Sequence, residues 1–306
     1  MLSPSLRLES TMIDFLKYRV ACAVFSLLML VSFIGIYIYR VNTRGYAFSY
    51  SVDFTGGTQI LVRFAKAVTD SQIKDVLEQN GFNNPVMRDF SSTEVAVRLK
   101  QVATDTKGLS DTFKQTLEKG FPDNSIEILS VDSVSGGIGE VLRWNSIYAV
   151  GFALFLMLLY IWFRFWSVSF GVGAVVALFH DAMVILFVFL LLDKEISINV
   201  ISAILAVLGY SINDTIVIFT KIRQNIKTIK NMSIDKVVNI SLNQTLRRTI
   251  LTSFATTLVV LSLMILGGEA LRDLSLALLI GMIFGTYSSI YIASPVMLFL
   301  YKEEAK

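Results

Sequence analysis

The chain has 306 residues, of which 54% are hydrophobic and only 17% charged, with a mean hydropathy of +0.63. That balance excludes an ordinary soluble domain and reads as a polytopic α-helical membrane protein. A net charge of +3 is too small to argue for a nucleic-acid partner, and the single cysteine, Cys22, excludes an intrachain disulfide.

Residues 1–17 form a short polar, cytoplasmic N-terminus, with Arg7, Lys17 and Arg19 gathered before the first apolar run at 18–39. A run of roughly 20 apolar residues crosses a bilayer. This one is too long for a signal-peptide core and no small-residue cleavage site follows it, so it reads as a retained span. Residues 40–144 then fall in hydropathy and read as a small extracytoplasmic α+β domain. Alternation over 52–64 predicts a strand ending in Ile60-Leu61-Val62. Thr69-Asp70-Ser71-Gln72 fits a capping box and opens a helix with Ile73, Val76, Leu77 and later Phe82 at helical spacing. Asn83-Asn84-Pro85 breaks the chain before short strands at 86–90 and 94–100. A second helix at 109–119 carries Phe113 and Leu117 on one face and stops at Gly120 and Pro122; Ile126, Ile128 and Val131 make a last strand. The order β-α-β-β-α-β is that of a ferredoxin-like unit. Gly56-Gly57 and Gly136-Gly137 mark turns at its two edges, and it is expected to join the membrane only through the first and second spans.

Residues 145–301 supply five further spans, at 145–163, 167–192, 196–220, 248–266 and 274–301, which makes six in all. Asp193-Lys194-Glu195 is a tight turn, 221–247 a cytoplasmic amphipathic stretch, and 302–306 a cytoplasmic C-terminus. With both termini inside, the cations Arg7, Lys17, Arg19, Arg164, Lys221, Arg223, Lys227, Lys230, Lys236, Arg247, Arg248, Lys302 and Lys306 fall on the cytoplasmic side. The short outer loops hold only Lys194 and Arg272, each beside acids. Trp144, Trp162 and Trp166 sit at span ends, as interfacial anchors do.

The ionisable groups within the spans are His180 and Asp181 in the third, Asp214 in the fourth and Arg248 at the fifth. A carboxylate at membrane depth costs about 2.5–3.5 kcal/mol on insertion scales unless it is neutralised, so such residues mark function by default. The fourth span reaches Asp214 late and the fifth meets Arg248 early, so their depths match near the cytoplasmic side. Thr252 lies four residues after Arg248 on the same helix face and can offer a hydroxyl to the pair. A static ion pair that fixes packing, a snorkelling Arg248 and a carboxylate alternating between protonated and paired states all remain open from the residues alone. His180 and Asp181, adjacent on a helix, are expected to point about 100° apart, leaving either a structural or a secondary relay role. No nucleotide loop, metal-ligand cluster or nucleophile–base pair is present in the sequence, so neither an enzyme nor a bound cofactor is indicated.

Val52-Asp53-Phe54-Thr55-Gly56-Gly57-Thr58, His180-Asp181, the run Gly209-Tyr210-Ser211-Ile212-Asn213-Asp214-Thr215, and Gln244-Thr245-Leu246 with Arg248-Thr249 and Thr252-Ser253 together form a pattern. With it the whole chain resembles the SecF family of protein-export subunits, within the RND (resistance–nodulation–division) superfamily. The resemblance implies half of a pseudo-symmetric bundle, working with SecD, the SecYEG channel, SecA and a translocating preprotein in the lipid of the bacterial inner membrane. It implies a proton relay of Asp214, Arg248 and Thr252, with His180 and Asp181 as a possible second relay. Asp53, Phe54, Gly56, Gly57, Gly209, Tyr210 and Asn213 are the family's motif positions. The chain departs from the family at Thr220-Lys221-Ile222-Arg223-Gln224-Asn225, commonly Asp-Arg-Ile-Arg-Glu-Asn, and at Ser135-Gly136-Gly137, commonly Val-Gly-Pro. Two rival functions are a proton-coupled exporter of small molecules or lipids and a non-energised scaffold of the channel.

Overall fold

The computed structural model describes residues 12–89, 93–103 and 105–301. Arg7, Lys302 and Lys306, and position 90 at the end of an expected strand, lie outside the described residues. Six helices are long and apolar enough to cross a membrane: Leu16–Arg44, Gly136–Phe165, Val168–Leu191, Ile198–Thr228, Ile234–Leu266 and Leu271–Leu300. They are called the first to sixth spans below. The chain divides into two compact units, one holding the membrane helices and the other comprising Ser49–Tyr148 with Glu195–Ile198.

The outer unit is built on β1 (Ser49–Tyr50), β2 (Gly57–Phe64), β3 (Val86–Asp89), β4 (Glu94–Leu99), β5 (Ile126–Val134) and β6 (Glu195–Ile196), with α1 (Asp70–Gln79) and α2 (Thr106–Gly120). Four strands pair antiparallel in the order β3-β4-β2-β5, which is the expected split βαβ arrangement. Alternate residues Ile60, Val62 and Phe64 of β2, with Val95, Val97 and Leu99 of β4, meet Ile73, Leu77, Phe113 and Leu117 of the helices in one buried cluster. The capping box at Thr69 forms, with the Thr69 N–H donating to Gln72 Oε1 at 3.1 Å. Helix α2 starts three residues before the expected 109, because the Asp105 carboxylate accepts from the N–H groups of Lys107 and Gly108 at 3.1 and 3.0 Å.

Two expectations for this unit are corrected. The strand read over 52–64 begins only at Gly57, because Val52–Thr55 closes a helical turn and Gly56 and Gly57 follow it with φ of 74° and 111°. The domain also has more than two attachments: Glu195 and Ile196, which lead into the fourth span, pair in parallel with Ser49 and Tyr50.

In the membrane unit the third, fourth and sixth spans form the core, each with half of its apolar window buried, against 11% for the first, second and fifth. Small residues let these three helices approach closely. A Cβ on Gly173 would meet Ala293 O at 2.7 Å, and one on Gly281 would meet Val207 at 2.3 Å. These glycines therefore serve packing within the chain. The sixth span is α-helical over Gly268–Ser288 and Ser294–Leu300, with a π-turn at Ser289–Ala293 between them. Pro295 has no N–H to donate one turn back, which is what loosens the ladder there.

Most of the amphipathic stretch at 221–247 continues the fourth and fifth helices rather than looping between them. Asn225, buried, fastens the two by donating to Ser241 Oγ at 2.8 Å and Gln244 Oε1 at 2.9 Å. Asn243 and Asn239 of the fifth helix accept from the N–H groups of Ile13 and Phe15, both at 2.9 Å, and Arg19 pairs with Asp235 at 2.6 Å. On the opposite side Arg40 and Arg44 both reach Asp193, and Lys194 reaches Asp273 at 3.1 Å.

Gly56 tests the glycine requirement. Its Cβ would lie 2.5 Å from Gly136 Cα, whereas nothing stands within 4 Å of one on Gly137. Gly56→Ala should lower stability by about 2–4 kcal/mol, from positive φ and overlap with backbone. Gly137→Ala should stay within about 0.5 kcal/mol of the parent. Thermal unfolding of the full chain in mild detergent measures both.

Candidate functional site

Two polar clusters lie among the membrane helices. The first is centred on Asp181 of the third span, whose side chain is fully buried. Its Oδ2 accepts from Ser211 Oγ of the fourth span at 2.6 Å and from Ser288 Oγ of the sixth at 2.9 Å. Gly285 makes room for it: a Cβ there would stand 3.6 Å from Asp181 Oδ2 and 3.1 Å from Ser211 Cβ. One helical turn further along, Thr215 and Ser289 share a hydrogen bond of 2.9 Å between the same two spans.

His180 and Asp181 do not point wholly apart, as their adjacency predicted. His180 Nδ1 stands 3.4 Å from Asp181 Oδ1, a long contact between neighbouring side chains. His180 Nε2 is buried without a hydrogen-bond partner, and the ring packs 6.0 Å from that of Tyr287. Tyr287 in turn donates to Cys22 O at 2.8 Å, so the first span touches the same cluster. A lone ionised carboxylate in such a place would be expensive.

The second cluster faces the fifth span. Tyr210 Oη donates to Ser253 Oγ at 3.1 Å and accepts from Thr256 Oγ1 at 3.1 Å, while Ser253 and Thr286 share a bond of 2.7 Å. Asp214 is 5% exposed and borders this cluster, with Ser253 and Arg248 of the fifth span near its carboxylate. Its Oδ2 is buried with no hydrogen-bond partner. Arg248 is exposed, and no salt bridge joins it to Asp214 among the described residues. Thr252 donates to the carbonyls of Arg248 and Thr249 at 3.1 and 3.0 Å, as membrane hydroxyls often do on their own helix. Thr252 therefore turns its hydroxyl to its own helix, while Ser253, one residue further on, joins the Tyr210 and Thr286 hydroxyls. Gly209 and Asn213 are exposed on the outward face of the fourth helix. Among the described residues no three His, Cys, Asp or Glu side chains converge as metal ligands would.

The sequence singled out the charged members of both clusters and missed Ser211, Ser288 and Thr286 as their partners. The available signal was the Ser288-Ser289 pair inside an apolar span, with Ser211 and Thr215 four apart on one face.

Six apolar helices, a carboxylate buried between three of them and a small α+β unit define a multi-pass membrane protein. Two family profiles match: "Protein export membrane protein SecD/SecF, C-terminal" over residues 113–303, and "SecD/SecF GG Motif" over 47–68. The chain belongs to the SecD/SecF family of protein-export membrane proteins. The protein translocase subunit SecF of Thermodesulfovibrio yellowstonii is 36% identical over 299 residues, covering 96% of this chain and 97% of that protein. SecF of Haemophilus influenzae is 36% identical over 95% of this chain and 87% of its own. The crystal structure of SecDF from Thermus thermophilus, described as a translocon-associated membrane protein, superposes with a TM-score of 0.80 at 36% identity. It covers 94% of this chain, which spans 38% of that longer one.

The Asp181 cluster makes a prediction about stability. Ser211→Ala or Ser288→Ala alone leaves one donor on Oδ2 and should cost about 0.6–1.7 kcal/mol. The double substitution strips the buried oxygen of both and should exceed the sum of the singles by about 1 kcal/mol or more. A double-mutant cycle on unfolding in detergent measures the excess.

Proposed function

We propose that this chain is the proton-driven SecF-type subunit of the protein-export machinery and that Asp214 is its proton carrier. The observation carrying this is a carboxylate buried in the fourth helix, beside a hydroxyl chain from the fifth and sixth spans and within electrostatic reach of Arg248. When Asp214 is protonated, its attraction to Arg248 is gone. When it is ionised, the fifth helix is drawn toward the fourth. Ser253 stands where it can pass a proton or hold one half of the pair, and Thr252 stiffens the turn that presents Arg248. Moving one charge through 100 mV supplies about 2.3 kcal/mol, enough to bias a two-state equilibrium roughly fiftyfold.

The partners follow from what the bundle leaves uncovered. Asn213, Arg248 and Thr252 are exposed at membrane depth, where lipid is a poor neighbour for them. A second six-helix half of the SecD type covers this face, and the assembly works beside SecYEG and SecA on emerging preproteins in the bacterial inner membrane. Both termini are cytoplasmic, on the charge bias of the short loops.

Asp214→Asn should abolish the gradient-dependent stage of export while ATP-driven initiation continues, and Arg248→Met should do the same. Export from spheroplasts with and without the proton gradient measures this; full gradient-dependent export by Asp214→Asn returns the cluster to packing and supports a scaffold. In a Cys22→Ser background, a membrane-impermeant maleimide should label Gln115→Cys on α2 in intact spheroplasts and leave Asn231→Cys unlabelled. The reverse pattern overturns the orientation.

A further inference from the structure

The segment Ser51–Gly57 has a structural position that the proton relay does not use. Asp53 Oδ2 accepts from the backbone N–H of Ile198 at 3.0 Å and from Ser51 Oγ at 2.8 Å. Ile198 is the first residue of the fourth-span helix. First-turn N–H groups have no partner within their own helix, and a carboxylate there also meets the positive end of the helix dipole. Ser51 N–H donates to Ile196 O at 3.0 Å, extending the β1–β6 pairing toward Asp53. Arg98 of β4 adds a second fastening: it pairs with Glu195, and donates to Tyr50 O and Gln59 Oε1, each at 3.0 Å. The pair is mostly buried, with side-chain exposures of 16% and 9%.

The same segment is pressed against the start of the second span and the edge of the outer sheet. Besides the Gly56 contact with Gly136, a Cβ on Gly57 would meet Leu99 O at 2.6 Å, and one on Gly139 would meet the Phe54 backbone at 3.0 Å. Backbone lies on backbone with no side chain between them to flex. Val52 and Phe54 are buried beneath the turn.

We propose that Asp53–Gly57 is the joint that couples the fourth span to the outer domain. Resting on the proton-coupled reading above, it makes Asp53 a positioning residue for export. Asp214 stands on the same uninterrupted helix as Ile198, about 24 Å along it at 1.5 Å per residue. A helix is stiff along its axis, so a shift at Asp214 arrives at Ile198. There the Asp53 carboxylate and the Arg98–Glu195 pair hand it to β2 and β4. These bonds gather Glu195–Ile198 into the outer unit, and the chain runs from there directly into the helix that carries the intramembrane acid of the proposed relay.

The test loosens the joint and, separately, locks it, in the full complex with SecD. Asp53→Ala with Arg98→Gln should cut gradient-dependent export about tenfold while proton flux into vesicles stays within about twofold of the parent. Asp53→Asn keeps an acceptor oxygen and should restore export. In the Cys22→Ser background, Tyr50→Cys with Ile196→Cys, which are register partners, should form a disulfide and export as well as the reduced form. Parent-level export by the loosened protein overturns the joint, as does loss of export on cross-linking or parallel loss of flux and export. The two readings fail separately. Normal export by Asp214→Asn refutes the proton carrier, whereas normal export by the loosened protein beside an inactive Asp214→Asn refutes the joint alone.

Discussion

A carboxylate surrounded by hydrocarbon has to find its hydrogen bonds inside the protein, and Asp181 finds them on two other helices at once. Its single oxygen Oδ2 holds Ser211 of the fourth span and Ser288 of the sixth. That geometry requires three helix backbones to converge closely, which the glycines at 173, 281 and 285 permit. Helix order in the bundle core, the placing of Thr215 against Ser289 and the approach of the π-turn to the third span all follow from it. Asp214 is exempt. It borders a hydroxyl cluster but leaves one oxygen unbonded, so the core is settled around Asp181 alone.

Division of labour between the two acids also explains the uneven burial of the spans. The third, fourth and sixth enclose Asp181 and form a tight bundle; the first, second and fifth are peripheral and largely exposed. The fifth span, which carries Arg248, exposes most of its apolar window yet packs along the sixth and shares the Ser253–Thr286 bond with it.

Much of this was legible in the sequence, for physical reasons. Span number follows from apolar run length, and Asp214, His180 and Asp181 stand out because ionisable groups are rare in bilayers. The outer sheet follows from two-residue alternation and a capping box. Other features have no local signature. Val52-Asp53-Phe54 alternates as a strand would, and only the helical turn at Val52–Thr55 and the positive φ of Gly56 show that the strand begins at Gly57. Serines in membrane helices usually bond their own backbone, as Ser262 does to Val259 O, so the Ser288-Ser289 pair marks a polar spot in the span without naming Asp181 as its partner. The two-residue pairing of Ser49 and Tyr50 with Glu195 and Ile196 joins segments far apart in the chain, and so short a bridge leaves no pattern to read.

The asparagine clamp on the N-terminal segment bears on how the chain is made. Ile13 and Phe15 are held by Asn243 and Asn239, residues 230 and 224 positions later. At about 5–20 residues per second, a ribosome reaches those asparagines roughly 11–46 s after it has made the residues they will hold. Through that interval the N-terminal end of the first span has no clamp, although the span itself and much of the α+β domain behind it can already be inserted and folded. Closure of the clamp therefore marks arrival of the fifth helix, and a chain truncated before residue 239 lacks it altogether. A segment that precedes the first span is in this way fixed only once the fifth helix has been made.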